Sequence, residues 1–393
     1  MSLALDPQAT RRAVIAGLGG TVITSATTGA QEGKIASMSQ SVLAYVGCRT
    51  TRERNARGDG IVVYRLEDGN WKQVQLIGDL LNPSYLTFDR EKRFLYTVHG
   101  DASEISAFGI HADGTLHFLN RQSCHGKNPV HLAADPSNRF IVVANHLTVE
   151  NYVSNIAVLP RQPDGSLGAI SDLVPLSGKI GPHRVEQPFA KPHQVGYDPR
   201  GRFIAVPDKG CDLVRLFELG TEGKLKALDG PAVARPGAGP RHIAFRPDSR
   251  FAYVANELDS TITGYRYNPE TGSLTAFQRL PSTPDNFTGY NTGSEVAVSE
   301  SGRFLYVSNR GDDSIGAFAI NQTDGRLSPL GWVPCGGRTP RFFSLSPDEH
   351  SLYVANEDGD CITAFVVNQQ SGLLTPRGVV ARTGSPTCIV FSS

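Results

Sequence analysis

GPRHIAFRPDSRFAYVANE, residues 239–257, alternates apolar and polar side chains on both sides of a Pro-Asp turn, the pattern of a β-hairpin with one buried face. The same pattern recurs along the chain. It is written NPSYLTFDREKRFLYTVHG at 82–100, NPVHLAADPSNRFIVVANH at 128–146 and KPHQVGYDPRGRFIAVPDK at 191–209. It returns as TGSEVAVSESGRFLYVSNR at 292–310 and TPRFFSLSPDEHSLYVANE at 339–357. A unit of about 50 residues is the spacing of propeller blades. A second hairpin follows each copy, such as STITGYRYNPETGSLTAFQ at 260–278, and the first of these, GIVVYRLEDGNWKQVQLIG, stands at 60–78. Seven such second hairpins occur in the chain, and two hairpins together make a four-stranded antiparallel blade.

The ends of the chain indicate how the array finishes. SPTCIVFSS, 385–393, is a first strand without its partner, and SVLAYVG, 41–47, matches the missing second strand. The last blade is therefore expected to be built from both termini, which closes the ring and protects two strand edges. An open solenoid would end in atypical capping repeats instead. The expected fold is all-β, a seven-bladed propeller forming a single domain over 39–393.

Residues 1–38 are set apart from this domain. Arg11 and Arg12 precede a mildly apolar, Gly- and Thr-rich stretch that is too short to span a membrane. The pair and the small residues before Gln31 resemble a twin-arginine export signal, so an exported or periplasmic protein is expected, with a cytoplasmic protein carrying a simple tail as the alternative.

Composition narrows the class of partner. A formal net charge of zero provides no global field for nucleic acid or an anionic membrane, so an anion site must be built locally. The six cysteines are scattered without C-x-x-C spacing, which reads as buried thiols rather than a disulfide framework or metal site. No cofactor or metal is expected, and a closed ring needs no second copy, so a monomer is the expected state.

The site is sought where the repeats differ. The start of each first strand and the end of each second strand share one face of a propeller. Aligned there, His193, Arg241, Glu257 and Arg310 stand out from three consecutive blades, while the recurrent Asn of the second strand reads as a structural tie. A single such residue would be a solvated turn position. Four converging on one mouth suit the binding of an anion. Arg341, His242 and His131 occupy neighbouring positions, and Arg184 and Gln187 lie on a long loop beside the same mouth as candidate substrate-binding residues.

With these residues in place, the chain over 41–393 resembles the seven-bladed propeller lactonases, a family that includes a bacterial 6-phosphogluconolactonase and the fungal carboxymuconate-lactonizing enzyme. KPHQVGYDPRGRFIAVPDKGCD, GPRHIAFRPDSRFAYVANEL and SGRFLYVSNRGDDSI carry the resemblance. It implies a site made of a histidine, an arginine, a glutamate and a second arginine, which match His193, Arg241, Glu257 and Arg310. The chain departs from the family pattern at Asp312, where a histidine is common, and at Lys209, in place of the leucine of D-L-G-x-D.

The chemistry implied is hydrolysis of a small anionic lactone, such as 6-phosphogluconolactone, by activated water. Glu257 or His193 would act as general base, and an arginine would stabilise the oxyanion. G-x-S-x-G and H-E-x-x-H do not occur, so neither a serine nucleophile nor a zinc protease site is indicated. Cycloisomerisation of a carboxymuconate and a non-enzymatic binding platform are the alternatives, because fold does not settle function.

Overall fold

In the computed structural model the described residues are 42–67, 69–147 and 153–392. The expected export segment, with Arg11 and Arg12, lies outside them.

The described strands form seven antiparallel sheets. Numbered along the chain, blade 1 comprises Leu86–Phe88, Phe94–Val98, Glu104–Ile110 and Leu116–Ser123, and blade 2 comprises Lys127–Ala134, Phe140–Leu147, Ser154–Pro160 and Asp172–Leu176. Blade 3 has a short inner strand, Gly196–Tyr197, followed by Phe203–Asp208, Leu213–Leu219 and Leu225–Ala227, with Ala232–Val233 added to its third strand. Blade 4 is Pro240–Phe245, Phe251–Asn256, Thr261–Tyr267 and Leu274–Pro281. Blade 5 is Thr292–Val298, Phe304–Arg310, Ser314–Ile320 and Leu327–Pro334. Blade 6 is Pro340–Leu345, Ser351–Asn356, Cys361–Val367 and Leu374–Arg382.

Blade 7 takes its inner strand, Pro386–Phe391, from one end of the domain and Leu43–Cys48, Ile61–Glu67 and Asn70–Ile77 from the other. Ala44 pairs with Phe391 and Val46 with Ile389, so the ring is closed as the terminal sequences predict.

The core lies between blades rather than within them. A strand buries one face on each neighbouring blade, which explains why its inward and outward residues are both apolar. Tyr253, Ala255 and Ile262 of blade 4 pack on Val296, Leu305 and Val307 of blade 5. Across the closure, Tyr45 and Val63 of blade 7 meet Leu86, Leu95 and Phe108 of blade 1. Each fully buried large side chain contributes roughly 1.5–3 kcal/mol.

Polar contacts fix the register between blades. The second-strand tyrosines Tyr45, Tyr96, Tyr253 and Tyr306 donate to the carbonyls of Gly114, Gly165, Gly325 and Gly372, each in the outer hairpin turn of the next blade. Those glycines hold φ between 73° and 86°, a conformation that costs a residue with a Cβ. At the same end of the strands, the carboxylates of Asp89, Asp135 and Asp198 each accept two backbone N–H groups across the inner hairpin. All six cysteines are buried and unpaired. Among the described residues no helix is long and apolar enough to cross a membrane.

Candidate active site

Strict alternation would send adjacent residues of an inner strand to opposite faces. The upper ends of these strands break that rule. The register shifts between Pro240 and His242 in blade 4, and between Pro340 and Phe342 in blade 6. A bulge re-aims side chains. Arg241 and His242 consequently line one cavity together, as do Arg341 and Phe342. A similar shift between Gly293 and Val296 in blade 5 accompanies the inward placement of Glu295.

The second strands supply the other wall. Asn256 and Asn309 are fully buried; the Asn256 amide ties its strand end to Thr261 and Thr263 in blade 4, and the Asn309 amide ties its own to Ser314 in blade 5 and to the Ser282 carbonyl just past blade 4. The next residues, Glu257 just past its strand and Arg310 at the last position of its strand, stand at the cavity. In blade 3 the corresponding place is held by Asp208, whose Oδ1 accepts the N–H groups of Lys191, Gly210 and Cys211. That turn presents Lys209 to the same space.

The cavity has a volume of ≈ 420 Å³, and seven cationic side chains line it: Arg49, Arg54, Lys191, Lys209, Arg241, Arg310 and Arg341. Glu257 is its electrostatic centre. Its Oε1 lies 2.8 Å from Lys209 Nζ, and its Oε2 lies 3.0 Å from Arg241 Nε and 3.2 Å from an Arg310 guanidinium nitrogen. Burial alone would raise its pKa, but Lys209, Arg310 and Arg241 outweigh burial and hold the carboxyl well below the ordinary range. Glu257 is thus a fixed anion in the resting site. A second centre, Glu357, accepts Arg49 at 3.2 Å and Arg341 at 3.5 Å. Lys209 and Lys191 also reach Glu186, at 3.0 and 3.7 Å. With Asp101, paired to Arg54, four carboxylates stand against seven cations among the described residues, an excess of positive charge.

Aromatic rings form the floor. Tyr85 stacks on His131 with ring centres 4.0 Å apart and meets Phe342 edge-on at 6.0 Å. His242 lies 5.8 Å from His131 and 5.2 Å from His193, and His193 lies 5.2 Å from His146. Burial, followed by the nearby Arg241, pushes the His193 imidazole well below its ordinary pKa, so it is neutral at pH 7. Its Nδ1 is buried without a partner among the described residues.

The four residues singled out as catalytic, His193, Arg241, Glu257 and Arg310, share this cavity with Arg341 and His242. Three others are not at its wall. Gln187 is buried in its own loop, donating to the Lys209 carbonyl and Asp212 and accepting the His183 N–H, so its amide is already used. Arg184 is exposed to solvent outside the cavity. His131 lies against Tyr85, with Val130 facing the cavity in its place. The sequence reading passed over Lys209, Glu186, Lys191, His146 and Glu357. Lys209 and Glu357 directly follow second strands in the same column as Glu257, which is the signal that could have found them.

Fold and cavity together define a seven-bladed propeller with a concave, charged site at one mouth of its channel. The family profile described as "Lactonase, 7-bladed beta-propeller" matches residues 43–391. The chain belongs to that family. It is 34% identical over 313 residues to the 6-phosphogluconolactonase of Bacillus subtilis, covering 78% of this chain and 86% of that protein. The 6-phosphogluconolactonase of Formosa agariphila is 28% identical over 307 residues, covering 74% of this chain and 83% of the relative. The solved structure of the Pseudomonas aeruginosa periplasmic gluconolactonase, PpgL, superposes with a TM-score of 0.81 at 28% identity, covering 90% of this chain and 99% of that one.

Proposed function

We propose that the protein is a lactonase that opens an anionic sugar lactone, with 6-phosphogluconolactone the first substrate to test. The observation that carries this reading is the excess of cations around a neutral, incompletely hydrogen-bonded imidazole. A phosphate or carboxylate on the substrate would be held by Arg49, Arg341 and the lysines, which pair with carboxylates in the resting site and can be shared. Relatives named 6-phosphogluconolactonase support the same class of ester.

In this reading His193 removes a proton from the attacking water. With Nδ1 buried, Nε2 is the ring nitrogen available to the cavity. Its low resting basicity is caused by burial and then by surrounding cations, so an anionic substrate that offsets those cations raises its pKa toward the working range. Arg241 and Arg310 face the carbonyl and stabilise the oxyanion of the tetrahedral intermediate. Glu257, in three ion pairs, keeps those cations in place rather than acting as the base. Collapse of the intermediate breaks the ring C–O bond, and the departing alkoxide takes up a proton.

The test is hydrolysis of purified protein against phosphorylated and unphosphorylated gluconolactone, followed by acid release above the spontaneous rate. Higher kcat/KM on the phosphorylated substrate supports the reading, and no rate above background on either overturns it. We also propose export through the segment carrying Arg11 and Arg12, in line with the periplasmic Pseudomonas relative. Preference for the unphosphorylated lactone would keep the lactonase reading and shift its substrate to one found outside the cytoplasm.

A further inference from the structure

A carboxyl beneath the cavity, Glu295, and an imidazole in its wall, His242, are not used by the chemistry above. Both Glu295 oxygens lie on Nδ1 of His242, at 2.9 and 3.0 Å, and both residues are almost completely buried. Among the described residues His242 Nε2 is buried without a partner, as is His193 Nδ1 on the adjacent ring. Rings whose centres are 5.2 Å apart can bring one nitrogen of each to hydrogen-bonding distance. On the other side, Glu295 lines a second cavity that reaches Ser346, Pro347 and Glu349, next to the inner hairpin turn of blade 6. Tyr85 and Phe342 border both cavities, so the aromatic floor separates them and the Glu295–His242 pair passes through it.

We propose that Glu295 and His242 form a proton relay running from His193 through the floor of the cavity toward the opposite mouth of the channel. Both are positioning residues, and the relay rests on the lactonase reading. Hydrolysis consumes one water and ends in a carboxylate and one released proton. As His193 Nε2 takes a proton from water, Nδ1 passes one to His242 Nε2, and His242 Nδ1 passes one to Glu295. Each ring ends with one proton, its tautomer reversed, and the proton lies on a carboxyl that borders the lower cavity.

The surroundings set the direction of its pH dependence. Burial pushes the Glu295 carboxyl up to about 8, which Arg241 and the Val296 N–H oppose only in part. Tyr85 and Cys388 also face it as neutral groups raised by burial. Around His242 stand Arg241, Arg341, Glu257 and Arg310, with the His131 and His193 rings, and burial keeps it well below its ordinary value. An empty relay requires the carboxylate, so kcat is expected to rise with pH as the pair loses its proton.

The experiment compares Glu295→Gln with Glu295→Asp in the full chain. Expected for Glu295→Gln is a loss of about 10²-fold in kcat with little change in KM, and disappearance of the rising limb of kcat against pH. Glu295→Asp restores both. In the unliganded protein, ¹⁵N signals of the histidine rings report the tautomers directly. Glu295→Gln is expected to move the signals of both His242 and His193. A wild-type kcat and pH profile in Glu295→Gln overturns the relay, as does a His193 signal that ignores the substitution. If no lactone is hydrolysed by the parent protein, the lactonase reading fails while the NMR arm still decides the coupling. If Glu295→Gln does not fold, His242→Gln is measured by the same kinetics and by the His193 signal, with the same two outcomes deciding.

Discussion

Lys209 Nζ lies 2.8 Å from Glu257 Oε1, although 48 residues and one blade boundary separate them in the chain. Both side chains are about nine-tenths buried. The pair shows that neighbouring blades cooperate in one charge network, and it makes Glu257 the group on which three cations depend.

Replacing Glu257 with Gln leaves Lys209, Arg241 and Arg310 facing one another without their shared anion. Removing one partner of a buried ion pair costs about 3–5 kcal/mol. Urea unfolding is expected to show a loss of that order, together with a fall in kcat. A variant as stable as the parent would show that solvent already screens these cations.

Acid should destabilise the fold before ordinary carboxylates titrate. Burial holds His131, His146, His193 and His242 well below their ordinary pKa. Below the unfolded value of about 6.5, the unfolded chain binds protons that the native chain refuses, so stability falls as pH drops. Glu257 has a depressed folded pKa, so its contribution is present above the unfolded carboxylate value and is lost as pH falls toward the depressed one. Glu295, raised to about 8, has the opposite sign and favours the native state toward lower pH. Four histidines outnumber it, and unfolding free energy measured from pH 7 to pH 5 should decrease.

The inter-blade tyrosines offer a cleaner stability measurement. Tyr253 donates to the Gly325 carbonyl at 2.6 Å, and Tyr253→Phe removes that bond while keeping the ring. A loss of about 0.5–1.5 kcal/mol is expected by equilibrium denaturation. No loss would mean that packing alone holds blade 4 against blade 5.

Two substitutions separate binding from loop structure. On the proposed function, Arg49→Gln is expected to raise KM for a phosphorylated lactone about tenfold with kcat little changed, because the cavity loses a cation that would hold the phosphate. Arg184→Ala is expected to leave both constants unchanged, since that guanidinium lies outside the cavity. The steady-state constants of the two variants, measured side by side, check both statements.

The blades were legible because a hairpin repeated every 50 residues leaves a periodic trace, and the closure was legible because its two halves are both truncated copies. That His193, Arg241, Glu257 and Arg310 would share one mouth was legible by alignment of those copies. The floor was harder to read. Period-2 alternation says that Arg241 and His242 face opposite ways, and only the bulge after Pro240 lets both point inward. Glu295 was hidden by the same device in blade 5. Gln187 and Arg184 sit in a loop with no period at all, so nothing in the sequence distinguished an amide spent on Asp212 from one free for a ligand.

The pairing of Leu43–Cys48 with Pro386–Phe391 also constrains how the protein is made. Of the described strands, Leu43–Cys48 is made before the others and waits for a partner that follows them in chain order. Until it arrives, Leu43–Cys48 has an exposed edge able to pair with another chain. Slow translation or a stalled ribosome should therefore favour tangled oligomers over single rings.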